Sequence, residues 1–215
     1  MLSRTSFVKQ SVMMQIPYFS QFATPELADT IASGTFDPLK DRKWKQSGAQ
    51  SKEEYAKWCI HTCGMACLKM VLGYLNKENP PIVNLAKQCM QYGGYIARNN
   101  TIDGLYYEPF CRFVKDTFTM SASVAPFLTV RRILFETGRK NLIIASVHPN
   151  IRNINNKTPK ENGGHLVVIT GFNTKHKTIC LHNPSGNFAN SQQHYTISWV
   201  DFERFFAGRG IVISV

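Results

Sequence analysis

The feature that most constrains this chain is a change of hydrophobic rhythm near residue 140. Before that point apolar residues recur at helical spacing; after it they fall into short, strand-like runs. Helices are expected over 51–60, 63–75, 82–92, 107–118 and 130–137, preceded by one that Thr24-Pro25-Glu26 opens and Gly34 stops. Strands are expected over 141–147, 164–172, 178–182, 194–198 and 210–215, with a short helix from Val200 to Phe206 between the last two. Met14 to Phe19 is expected as a further edge strand, because Pro17 cannot donate to a ladder. Segregated helices and antiparallel strands make an α+β chain rather than alternating βα units. No internal repeat or long linker divides it. A loose N-terminal segment, 1–13, is expected ahead of a single domain spanning 14–215.

At 215 residues and 43% apolar composition, the chain can bury one full core. No apolar run is long enough to cross a bilayer. Nothing at the N-terminus has the form of a cleaved signal, so a cytoplasmic location is expected, with signal-independent export the other route. The formal charge of +11 comes from 25 basic and 14 acidic side chains. The basic residues are scattered singly or in pairs, with no helical stripe, zinc finger or strand-binding signature. They read as solvated surface, with neither nucleic acid nor membrane expected as a partner. Six cysteines, at 59, 63, 67, 89, 111 and 180, read as free thiols, with Cys89, Cys111 and Cys180 in apolar core patterns.

Three stretches carry chemistry in combination. In His61-Thr62-Cys63-Gly64-Met65-Ala66-Cys67, a thiol opens an apolar helix, where unpaired N–H groups and the macrodipole favour thiolate. Thr62 can cap that helix, and Gly64 allows a substrate close to the backbone. In Gly163-Gly164-His165, an imidazole opens a strand beside a small residue. If the 164–172 and 178–182 strands form a hairpin, Asn183 falls opposite Val167, diagonal to His165 and on the same face. The separation is then roughly 7–8 Å, within reach of a side-chain hydrogen bond. A thiol nucleophile, an imidazole base and an amide that fixes the base's tautomer are the parts of acyl transfer through sulfur. The sulfur is expected to be ionised at neutral pH. An oxyanion donor is also needed, and Gln21 is the first candidate, with Gln46 the fallback. His148 and Arg152 border the same region and can bind a substrate carboxylate. Taken singly, Cys63, His165, Asn183 and Gln21 each read better as structural, and His148 and Arg152 equally well so.

Together, Ile16-Pro17-Tyr18-Phe19-Ser20-Gln21, the run from Cys63 to Met70, Gly164 to Gly171, and His182-Asn183-Pro184-Ser185 resemble the bacteriocin-processing, double-glycine-leader branch of the papain-like cysteine peptidases. The likeness is to its stand-alone members. It runs from about residue 14 to the C-terminus, in the family's order of Gln, Cys, His, then Asn or Asp. It implies a papain-like fold, with a helical N-terminal half packed on a C-terminal antiparallel sheet. By position it makes Gln21 the oxyanion residue, Cys63 the nucleophile, His165 the base and Asn183 the orienting residue. The chain departs from many members in having Gly64-Met65 where they have Gly-Pro, and in the long stretch between Gln21 and Cys63.

The expected activity is that of a cysteine peptidase or thiol hydrolase, cleaving a peptide or amide bond through an acyl-enzyme. Its substrate is expected to be a peptide or protein, and no cofactor is implied. The same machinery serves a transamidase, peptide cyclase or deamidase, and water access through loops 93–106 and 149–163 decides among them. The second loop reads as a mobile lid. Two rivals remain: a binding module on an inactive peptidase fold, and a zinc site built on Cys59-x-His61-x-Cys63-x3-Cys67. Against zinc, Cys67 falls in phase with the buried helix face.

Overall fold

The computed structural model describes residues 10–98 and 101–215. Its elements in chain order begin with strand β1 (Ser11–Met13), a 3-10 turn at Pro25–Leu27 and helix α1 (Ala28–Ala32). Helices α2 (Lys52–Cys59), α3 (Cys63–Tyr74) and α4 (Ile82–Gln91) follow, then the hairpin β2 (Tyr95–Arg98) and β3 (Thr101–Gly104). Helix α5 (Tyr107–Phe118), strand β4 (Ser121–Ala125) and helix α6 (Val130–Gly138) lead into strand β5 (Leu142–Val147). The chain finishes with β6 (His165–Asn173), β7 (Thr178–His182), α7 (Ala189–Gln192), β8 (Tyr195–Ser198), α8 (Trp199–Phe205) and β9 (Phe206–Ser214).

Seven strands form one sheet in the order β4-β9-β5-β6-β7-β8, with β1 also paired to β6. Every pairing is antiparallel. The arrangement is α+β, as the rhythm of the sequence required. Both faces of the sheet are covered, so the central strand β5 is buried at every position. Leu142 and Ile144 face the core shared with α2 to α5, whereas Ile143, Ala145 and Val147 face the core under α6 and α8. A strand covered on both sides reads as a continuous apolar run, and Leu-Ile-Ile-Ala-Ser-Val is one.

Helix α3 is the pivot of the fold. Gly64, Met65, Ala66, Cys67, Leu68, Met70, Val71 and Leu72 are all buried, and the helix packs on β6. A helix apolar on nearly all sides must sit inside the domain, not on its surface. Its one charge, Lys69, donates to Asn79 Oδ1 at 2.6 Å and to the Pro80 carbonyl at 2.7 Å. Burial pulls the Lys69 pKa down to about 8.

Several local expectations need correction. The apolar run Met14–Phe19 is not a strand; the strand lies just before it, at Ser11–Met13, paired with Gly171–Asn173. Gly171 permits this, since a side chain there would collide with the Val12 carbonyl. Met14 and Ile16 instead drop into the core. A domain boundary at residue 13 therefore falls inside paired structure, while residues 1–9 of the expected loose segment lie outside the described residues. Thr24 does not cap its helix. Its hydroxyl donates to Asp41 at 2.6 Å, and that buried carboxylate also accepts from Tyr55 and from the Lys43 N–H. Ser51 does cap α2, accepting the Glu54 N–H at 3.1 Å, but Glu54 reaches back to the Gln50 N–H instead of completing a reciprocal pair.

Three strands carry no signal in the hydrophobic pattern. The β2–β3 hairpin occupies the segment read as the loop 93–106, and Ser-Ala-Ser-Val-Ala forms β4 against β9. β9 begins at Phe206, earlier than the expected Gly210, because α8 ends at Phe205. The segment 149–163 is tied down along its length. Arg204 donates to the carbonyls of Ile154 and Asn156, and Asn162 donates to the Phe206 carbonyl. Cross-links at three points do not describe a lid. All six cysteines are unpaired thiols.

Candidate active site

Cys63 is the first residue of α3, so its neighbours include the free N–H groups of a helix start. The Thr62 side chain makes no capping bond to them. Its hydroxyl faces the carbonyls of Cys59 and Gln21, both at 3.4 Å. The backbone N–H groups of Leu166 and Gly64 and the positive charge of Arg152 act on the Cys63 sulfur. All three favour thiolate, but burial outweighs them and pushes the Cys63 thiol up.

His165 opens β6 and is 4% exposed. Its Nε2 lies 2.8 Å from Asn183 Oδ1. The hairpin has the expected register where it matters: Val168 pairs with His182 and Ile169 with Leu181, which carries Asn183 to the level of Val167. A bulge between Ile169 and Gly171 shifts the register by one only at the turn end, away from the site.

The network fixes the imidazole tautomer. Asn183 Oδ1 also accepts the Ser185 N–H at 3.2 Å, which identifies that atom as the oxygen. Nε2 therefore carries hydrogen and donates to Asn183, leaving the lone pair on Nδ1. Nδ1 has no hydrogen-bond partner among the described residues, and no hydrogen bond links the Cys63 thiol to the ring. Burial, reinforced by the nearby Arg152 charge, pushes the His165 pKa down to about 3, against the opposing pull of Asn183. Burial disfavours the charged form of both groups. Against the expectation of a sulfur already ionised at neutral pH, the Cys63 thiol is pushed up rather than down.

Cys63 and His165 line one cavity of about 480 Å³, with Gly164, Leu105, Tyr106 and Arg209 among its walls. Leu105, Tyr106 and Arg209 carried no sequence signal. The first two sit at the exit of an unforeseen hairpin, and Arg209 lies in the early part of β9, before the expected strand start.

The remaining candidates divide. Gln21 is buried, and its Nε2 donates to the Cys59 carbonyl at 2.8 Å. Its own N–H donates to the Pro184 carbonyl at 3.0 Å, tying it to the turn that holds Asn183. Gln21 Oε1 has no partner among the described residues. Gln46 lines a different recess, beside Phe19 and Lys69. Gly164 lies on the cavity wall, whereas Gly64 does not. A Cβ at Gly64 would stand 2.6 Å from Leu105 Cδ2 and 3.1 Å from Leu166 Cδ1, so its bareness makes room for cleft walls, not for substrate. His148 Nδ1 caps the 3-10 turn Pro149–Arg152 by accepting the Asn150 N–H. Arg152 spends its guanidinium on Ser185. Neither lines the main cavity. Among the described residues no group of three or more metal-ligating side chains gathers in one place. Cys67, the last member of the suggested zinc motif, is fully buried in the core.

A family model described as Peptidase_C39 like matches residues 13–210. Among solved structures, the chain is similar to a crystal structure from Bacillus anthracis whose C39-like peptidase assignment is itself provisional. The TM-score is 0.58 at 13% identity, over 96% of this chain and 98% of that one. Identity that low speaks to the fold alone. No curated protein matches the chain.

Proposed function

The chain belongs to the Peptidase_C39 like family, and on that footing we propose that it is a cysteine peptidase whose catalytic residues are Cys63, His165 and Asn183. The observation that carries this reading is the hydrogen-bonded pair of His165 and Asn183, which leaves the Nδ1 lone pair unpartnered beside the cavity that Cys63 shares. In the first step Nδ1 takes the thiol proton as Cys63 Sγ bonds to the substrate carbonyl carbon. The C–N bond then breaks, and the imidazolium returns that proton to the departing amine. Water, deprotonated by the same nitrogen, attacks the thioester; the acid leaves and the thiol is restored. Because burial disfavours the charged form of both groups, thiol ionisation in this reading is coupled to attack rather than completed beforehand.

The negative oxygen of the tetrahedral intermediate needs donors. A side-chain amide has two N–H bonds, and Gln21 commits one to the Cys59 carbonyl. In this reading the other N–H, with the backbone N–H of Cys63, binds the oxyanion. Gly164 borders the bound substrate, a peptide or protein. Six unpaired thiols fit work in a reducing compartment. Among the described residues no helix is long and apolar enough to cross a membrane.

The test is digestion of a diverse synthetic peptide library, with new termini read by mass spectrometry. Wild-type protein is expected to produce a consistent set of cleavages that Cys63→Ala and His165→Ala abolish. Cleavage that survives Cys63→Ala overturns the assignment.

A further inference from the structure

The 183–185 turn holds more than the orienting amide. Arg152 Nε donates to the Ser185 carbonyl at 2.7 Å and approaches Ser185 Oγ at 3.1 Å, while Nη2 donates to that same Oγ at 2.8 Å. Ser185 is fully buried, and its Oγ lies 3.2 Å from His165 Nε2. Its N–H is the group that identifies the acceptor oxygen of Asn183. One guanidinium therefore grips, through a single serine, the segment that sets the angle and tautomer of the imidazole.

Building on the peptidase reading, we propose that Arg152 is a positioning residue for His165, acting through Ser185, and not a binder of substrate carboxylate. Its fork holds the Ser185 carbonyl and hydroxyl at once. The turn cannot drift without breaking charge-assisted hydrogen bonds, which are the strong ones. With the turn fixed, Asn183 Oδ1 stays on Nε2 and the lone pair stays on Nδ1. The same charge acts through space, favouring thiolate at Cys63 and disfavouring imidazolium at His165. It thus favours thiolate at Cys63 while making His165 a weaker base. The other titratable or charged groups around this cluster are His148, at the start of the Arg152 turn, Asp29 on α1, and Arg209 and Glu108, which line the cavity with Cys63 and His165. The guanidinium reaches both triad ends from a segment the triad itself does not use.

The experiment compares Arg152→Met, Arg152→Lys and Ser185→Ala with wild type. It follows the rate of carbamidomethylation at Cys63 by iodoacetamide against pH, and kcat and KM on a peptide the wild type cleaves. Arg152→Met is expected to move the rise of the alkylation profile to higher pH, with modification about tenfold slower at pH 8. Arg152→Lys keeps the charge and loses the fork, so its profile stays near wild type while kcat falls. Ser185→Ala is expected to lower kcat about tenfold with KM unchanged. If Arg152→Met does not fold, the contrast between the other two decides. An unshifted Arg152→Met profile with kcat intact overturns the proposal. So do Arg152→Lys and Ser185→Ala variants that retain full kcat, or a loss confined to KM for peptides with a free C-terminal carboxylate. Failure of the peptidase reading looks different: the wild type itself then cleaves nothing, or cleaves without Cys63.

Discussion

The Nε2 atom of His165 stands 2.8 Å from Asn183 Oδ1, and that oxygen simultaneously accepts the Ser185 N–H at 3.2 Å. An acceptor held from two sides leaves the ring one tautomer. Replacing Asn183 with Ala removes the oxygen and frees the ring to turn. The expected result is a fall in kcat of about tenfold to a hundredfold, with KM on a cleaved peptide little altered. Asn183→Asp keeps an acceptor at the same place and is expected to retain most of the rate. Steady-state kinetics on both variants checks the contrast.

Gln21 is held by two hydrogen bonds, one to the end of α2 and one to Pro184. If its second amide hydrogen serves the oxyanion, Gln21→Ala lowers kcat by about a hundredfold. Gln46→Ala, in a separate recess, leaves kcat at the wild-type value. Equal effects from the two substitutions contradict the assignment.

Acid should destabilise this fold before its carboxylates matter. His182 is fully buried; its Nε2 donates to the Ile16 carbonyl at 2.8 Å and its Nδ1 accepts the His194 N–H at 3.0 Å. The neutral ring is satisfied at both nitrogens, and a proton on Nδ1 would confront an N–H. Burial first, and His194 further, push its pKa down to about 4, against the Ile16 carbonyl. Between the ordinary histidine value and that point the unfolded chain binds the proton and the folded chain does not. Stability is therefore full above about pH 6.5 and is lost as pH falls toward 4. The loss is on the order of 2–3 kcal/mol, and His165 extends it to lower pH. Urea midpoints at pH 7 and pH 4.5 measure it, and His182→Gln should shrink the difference.

Gly64→Ala separates stability from access. The new methyl meets the end of the Leu105 side chain, which can swing, and alanine favours the helix by up to about 1 kcal/mol. The melting temperature should hold while Leu105 moves into the cavity, so KM rises with kcat less affected.

Asp41 accepts from the Thr24 hydroxyl and N–H, the Tyr55 hydroxyl and the Lys43 N–H, and it is nearly fully buried. Its removal leaves four donors without their acceptor, the buried Tyr55 hydroxyl among them. Asp41→Ala should cost about 3 kcal/mol, read as a lower urea midpoint.

What the sequence made legible follows from which signals are local. Helix α3, the β6–β7 pairing near His182 and the meeting of His165 with Asn183 rest on strong apolar runs whose periods admit one register. β4 went unseen because Ser-Ala-Ser-Val-Ala is an edge strand completed by β9, a partner far along the chain. The cap at Thr24 was misjudged because Asp41 competes for the same hydroxyl, and spacing cannot report a tertiary competitor. Arg152 reads in the sequence as a candidate for a substrate carboxylate, since only the folded turn shows Ser185 occupying it. The upward push on the Cys63 thiol is equally non-local. A helix start is visible in the residues, but the packing around it is not.

The central claim is that Cys63 is the one thiol activated for chemistry, with His165 as its base. The other five cysteines are buried, and burial pushes Cys59, Cys89 and Cys111 up to about 12. Iodoacetamide modification followed by peptide mapping, read beside peptide cleavage, tests this directly. Carbamidomethylation is predicted to fall on Cys63 alone, to track the loss of cleavage one for one, and to slow in His165→Ala. Comparable labelling of several cysteines, or full cleavage by protein whose Cys63 is already modified, would contradict the account.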